Sequence, residues 1–118
     1  MKISEMTKDE LNFALAIEMM GWHLEAGLWK DKDGVVMCNA YAGEWNPAED
    51  MNRAMECAET MWKMGYNVDV SIEYPFKEGG IIFWRAYVEW KNKWWESVNG
   101  IHTRALSEAI LMAVRGAK

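Results

Sequence analysis

Residues 67–74, Asn-Val-Asp-Val-Ser-Ile-Glu-Tyr, alternate without a break. Val68, Val70, Ile72 and Tyr74 fall on one face, and Asn67, Asp69, Ser71 and Glu73 on the other. A period of two marks a strand with one buried face. Pro75 has no N–H for a sheet ladder and ends the strand. Beyond a short connection at Lys77-Glu78-Gly79-Gly80, residues 81–91 repeat the pattern over a longer span. Ile82, Trp84, Ala86, Val88 and Trp90 share one face there, and Ile81, Phe83, Arg85, Tyr87 and Glu89 the other. Two alternating strands joined so closely predict an antiparallel hairpin. Asn92-Lys93 begins the next turn, Trp94 to Val98 is a short final strand, and Asn99-Gly100 turns again.

Helical signals flank this sheet. Upstream, Thr7 and Glu10 stand at capping-box spacing, and an apolar arc through Leu11, Ala14 and Leu15 follows until Gly21 stops the helix. Trp22 and Leu24 then alternate with His23 and Glu25, Ala26-Gly27 turns, and Leu28-Trp29-Lys30 resumes the strand. Asp31-Lys32-Asp33-Gly34 is a polar loop leading into a strand at Val35 to Cys38. Asn46 as N-cap, Pro47 at the first helical position and Glu49-Asp50 near the positive end of the dipole predict a second helix. Its apolar stripe is Met51, Ala54, Met55, Ala58, Met61 and Trp62, and Gly65 closes it. Thr103 is read as the cap of a third helix, which buries Leu106, Ala109, Ile110, Ala113 and Val114.

The order α-β-β-α-β-β-(β)-α predicts an α+β fold with three helices on a mostly antiparallel sheet of four to five strands. Residues 1–118 are too few for two domains and read as one. With 51% hydrophobic residues the chain has enough apolar side chains for a core without disulfides or metal. Cys38 and Cys57 lie in no metal-ligand or redox spacing and read as free thiols. Asp and Glu outnumber Lys and Arg 18 to 13, for a net charge of −5, which disfavours extended nucleic acid and anionic lipid as partners. No apolar run reaches the roughly 18 residues of a membrane helix, and with no signal peptide evident a cytoplasmic location is expected.

Four segments taken together resemble the bacteriophage ABA-sandwich domain family. They are LAIEMMGW (15–22), WNPAEDMNRAMECAETMWKMGYNVDV (45–70), FWRAYVEW (83–90) and HTRALSEAILMAV (102–114). The resemblance covers most of the chain in the right order, but its motifs are structural. It implies a phage or prophage protein in which helices cover both faces of the sheet, a layered α/β/α sandwich. It implies no catalytic residues.

Chemistry has few places to reside. His23 and His102 have no nucleophile at a recognisable spacing, and no phosphate loop, metal motif or cofactor motif occurs, so a non-enzymatic protein is expected. Two groups of residues are candidate ligand sites. At the start of the third helix, His102, Thr103 and Arg104 offer N–H groups, a hydroxyl and a cation to an anion, or else form an ordinary cap with a solvent-facing Arg. On the polar face of the long strands, Arg85 and Tyr87 meet Asp69, Ser71 and Glu73. A helix over that face would make them a buried network, whereas an open face would make them a floor for a planar anion. Of the eight tryptophans, which suit either a core or a stacking pocket, Trp45 in the 39–46 loop joins this candidate set.

Two functions follow as expectations. One is stoichiometric capture of a small anionic or nucleotide-like ligand by a homo-oligomer, a counter-defence sponge if the chain is phage-encoded. The other is a protein-interaction module that binds a host or phage protein through a surface rich in Met and Trp.

Overall fold

The computed structural model describes residues 2–40, 42–73 and 83–116. The expected strand end at Pro75, the 77–80 connection and residues 81–82 lie outside them. A 3₁₀ turn at Ile3–Glu5 precedes α1 (Lys8–Ala14), which widens into a π turn at Leu15–Met19. Three short strands follow, β1 (His23–Glu25), β2 (Leu28–Lys30) and β3 (Val36–Asn39), then α2 (Met51–Lys63). The chain closes with β4 (Asn67–Glu73), β5 (Phe83–Trp90), β6 (Lys93–Asn99) and α3 (His102–Gly116).

Among the described residues six strands therefore form where four to five were expected, and they make two antiparallel sheets, β1-β2-β3 and β4-β5-β6. The last strand is longer than its reading because the turn comes earlier. Lys91 and Asn92 both take positive φ, 48° and 65°, the two-residue hairpin geometry whose twist matches that of its strands. Lys93 is thereby released to pair with Trp90, and the ladder runs on to Asn99 opposite Trp84.

Local signals hold elsewhere. Thr7 makes the expected capping box with Glu10, the Thr7 hydroxyl accepting from the Glu10 amide while the Glu10 carboxylate accepts from the Thr7 amide. Gly65, at φ +97°, ends α2 in a Schellman motif, with the Gly65 amide donating to Trp62 O and the Tyr66 amide to Met61 O.

Helix α2 begins later than Asn46-Pro47 suggest. Residues 46–50 make a single turn in which Asn46 O accepts from the Glu49 and Asp50 amides, and the chain then straightens at Asp50 (φ −110°, ψ 119°). Asp50 caps α2 by accepting from the Asn52 and Arg53 amides. Tertiary bonds take over the backbone of that turn. Thr103 Oγ1 donates to Ala48 O at 2.7 Å, Ser107 Oγ donates to Pro47 O at 2.9 Å, and the Ala48 amide donates to Asn12 Oδ1 at 2.8 Å.

In the larger sheet Val68, Val88 and Trp95 stand in register on the inner face, as do Val70, Ala86 and Ser97. Helix α3 lies across β5 and β6 on that side, with α1 and α2 packed against it and α2 reaching β4. Leu11, Leu15, Met61, Val88, Leu106, Ile110 and Leu111 are fully buried in the core between them. On the outer face Asp69, Ser71, Trp94, Glu96 and Val98 are exposed. Among the described residues the helices thus cover one face of this sheet, and no third layer covers the other. The small sheet packs separately, Trp29 meeting Phe13 of α1 edge to face at 5.3 Å.

Truncating the centre of this packing is expected to be costly and truncating its rim cheap. Leu106→Ala should lower unfolding free energy by about 2–5 kcal/mol. Trp94→Ala, at an exposed site, should stay within about 0.5 kcal/mol, both read from urea unfolding curves.

Candidate interaction surface

The six residues expected to hold a ligand do not converge. Thr103 is not a cap. Helix α3 starts one residue earlier, and the Thr103 hydroxyl is buried in its bond to Ala48 O. Arg104 turns inward as well. Its Nε donates to Glu108 and its Nη2 donates to Ile3 O and Met6 O, which fastens the N-terminal 3₁₀ turn onto α3. Glu108 also accepts from Ser97 Oγ at 2.6 Å, so this carboxylate joins helix to sheet. The His102 ring packs against Trp84 on the inner face, centroids 5.2 Å apart. The helix start is therefore built into the core and presents no anion cradle.

Arg85 and Tyr87 stand on the opposite, outer face of β5. Because that face is open, they form no buried network. Arg85 Nη1 meets Glu96 Oε2 at 2.9 Å, and the Tyr87 hydroxyl donates to Glu89 Oε2 at 3.3 Å. Partial desolvation, then the Glu89 carboxylate, raises the Tyr87 phenol above its ordinary range. All four arginines of the chain are ion-paired with a glutamate: Arg53 with Glu56, Arg85 with Glu96, Arg104 with Glu108 and Arg115 with Glu18. A phosphate or carboxylate ligand held by an arginine would have to displace one of these partners.

Trp45 occupies a third place. Its Nε1 donates to Asn12 O at 2.9 Å and its ring meets Trp22 edge to face at 4.6 Å. It is a buried wall of a cleft of about 550 Å³ that Asp9, Phe13, Trp29 and Glu49 also line. The charge in this cleft is acidic, and Lys8 approaches only to pair with Glu49 at 3.5 Å. An anion finds no favourable field there. The histidines do not pair either, since His23 on β1 lies beside Glu25 at 3.6 Å. Among the described residues, no three of His, Cys, Asp and Glu are placed to hold a metal ion. No helix is long and apolar enough to cross a membrane.

The surface that stands out was read from sequence as core. On α2 the buried stripe is Ala54, Cys57, Ala58 and Met61, an i, i+3, i+4, i+7 set. Met55 and Trp62 fall on the neighbouring stripe and are 50% and 67% exposed. Met55, Ala58, Glu59 and Trp62 together with Val68 of β4 line an apolar groove of about 340 Å³. The legible signal was Cys57, a small apolar residue that already fills the inner face and leaves Met55 and Trp62 surplus to it.

No family model matches the chain, and no curated protein is similar to it. Among solved structures it is similar to a phage protein from Bacillus cereus ATCC 14579, known from a 2.0 Å crystal structure. The two share 11% sequence identity over 93% of this chain and 89% of that one, with a TM-score of 0.63. The fold is thus shared with a phage protein.

Two measurements check the structural roles assigned to these groups. Arg104→Leu leaves Glu108 buried without its cation and should cost about 3–5 kcal/mol of stability in urea unfolding. Burial pushes the Cys57 thiol up to about 12 from its ordinary 9.0. The folded state therefore holds this proton more tightly than the unfolded state does. The stability this contributes is intact below pH 9 and is lost as pH rises from 9 toward 12. Cys57→Ala should make the urea midpoint decline less steeply across that window.

Proposed function

We propose that this chain is a non-enzymatic interaction module of phage or prophage origin, whose motif order resembles the ABA-sandwich family although its helices cover only one face of the larger sheet. It acts in the host cytoplasm by docking a protein through the outer face of α2. The observation that carries this reading is Trp62, two-thirds exposed in the last turn of α2, with Met55 two turns earlier lining the same groove. An exposed tryptophan sharing a groove with an adaptable methionine is the composition of a binding hot spot. Leaving those side chains in water forgoes apolar burial that the fold does not need for its own core.

Ligand capture is the weaker alternative. It drew on Arg85, Tyr87, His102, Thr103, Arg104 and Trp45, which lie in three separate places. Their cations are already paired with Glu96 and Glu108.

A photo-reactive residue placed at position 62, with position 32 of the polar hairpin loop as control, tests the docking reading in the native cell. Position 62 should give one discrete adduct, position 32 none, and Met55→Asp should abolish the adduct. Failure of position 62 to give an adduct would overturn the reading. For the isolated partner, Trp62→Ala should weaken binding by about 2 kcal/mol or more, roughly 30-fold.

A further inference from the structure

We infer that the partner seated on this surface is a second copy of the chain, docked edge to edge through β4. The inference rests on the reading of the outer α2 face as a docking surface. Among the described residues β4 pairs with β5 alone, so one row of its backbone N–H and C=O groups has no strand beside it.

A two-fold axis perpendicular to the sheet keeps inner face with inner face, so opposed residues must be an even number apart. An antiparallel self-pair centred on Val70 uses all seven residues of β4. It sets Val70 opposite its own copy, Val68 opposite Ile72 and Asp69 opposite Ser71. Val68, Val70 and Ile72 of both copies then form one apolar patch on the inner face, and no two carboxylates stand opposite one another. Centring on Asp69 instead would oppose Asp69 to itself, a destabilising like-charge pair. The other edge of the same sheet lacks this property. A full-length self-pair of β6 centres on Glu96 and would set that carboxylate against its copy.

The apolar groove completes the match. It lies at the β4 edge, walled by Val68 from the strand and by Met55, Ala58 and Trp62 from α2. Pairing through β4 brings the two α2 helices onto the same side of the joined six-stranded sheet. Trp62 and Met55 of each copy then face the other across the axis. One interface thus occupies the open strand edge and covers the exposed side chains of α2.

Sedimentation equilibrium and register-specific cross-linking of the purified chain test this. A species of twice 13.7 kDa is expected at micromolar concentration, and Trp62→Lys should raise its dissociation constant at least tenfold. Val70→Cys should oxidise to a covalent dimer across the axis. Val68→Cys alone should not, whereas Val68→Cys combined with Ile72→Cys should. The native Cys38 and Cys57 are buried and do not compete, and circular dichroism establishes that each variant is folded. A monomer at every concentration overturns the inference, as does cross-linking of Val68→Cys as readily as Val70→Cys. If the chain is monomeric while position 62 still yields an adduct with a different protein, the second-copy inference falls and the docking reading stands. A β4 dimer indifferent to Trp62→Lys overturns the docking reading and leaves the strand edge in place.

Discussion

Helix α3 is buried on nearly every side, and the polar groups it carries into the core organise the molecule around it. Nine of its residues are buried, among them Thr103, Ser107 and Glu108. A buried hydroxyl or carboxylate without a partner costs several times what a satisfied one contributes. Each of the three therefore reaches to another part of the chain. Thr103 and Ser107 hold the carbonyls of Ala48 and Pro47, and Glu108 takes Arg104 on its own helix and Ser97 on β6. Through Arg104 the same network reaches the carbonyls of Ile3 and Met6. Three remote segments, the 46–50 turn, β6 and the N-terminal turn, are thereby fixed relative to one helix.

This demand explains why the Thr103 and Arg104 side chains expected at an anion site are turned to the core instead. A helix start can bind a phosphate when its N–H groups, hydroxyl and cation point to solvent. Here the helix start is wedged between the 46–50 turn and the inner face of the sheet. The residue types suited to an anion are the same ones that satisfy a buried helix, and packing chose the second use. Arg85 is paired for a different reason. On an open antiparallel face it lies opposite Val98 and diagonally across from Glu96, within reach of its carboxylate, and opposite charges attract.

The same one-sided layering leaves apolar surface elsewhere. With α3 taking the centre of the inner face, α2 sits toward β4 and needs only its stripe of small residues and Met61 to seal the core. Its larger side chains, Met55 and Trp62, overhang the strand edge. A sheet edge, an overhanging tryptophan and a self-complementary strand meet in one place.

What the residues alone determined were features whose causes lie within a few positions of chain. The Thr7 capping box, the Gly65 helix end and the alternation of β4 and β5 depend on steric and hydrogen-bonding rules local to each segment, and all are present. The start of α2, the burial of Thr103 and Arg104, and the exposure of Met55 and Trp62 were decided only in the tertiary structure. Asn46-Pro47 is a sound helix start until remote hydroxyls claim the Pro47 and Ala48 carbonyls. Thr103 is a sound cap until Ala48 lies within 2.7 Å of it. A stripe of Met and Trp reads as core until the number of neighbouring layers is known. The period of two in residues 67–73 shows that one face of the strand is apolar, and only the packing of the helices decided that its edge and its other face would stay open.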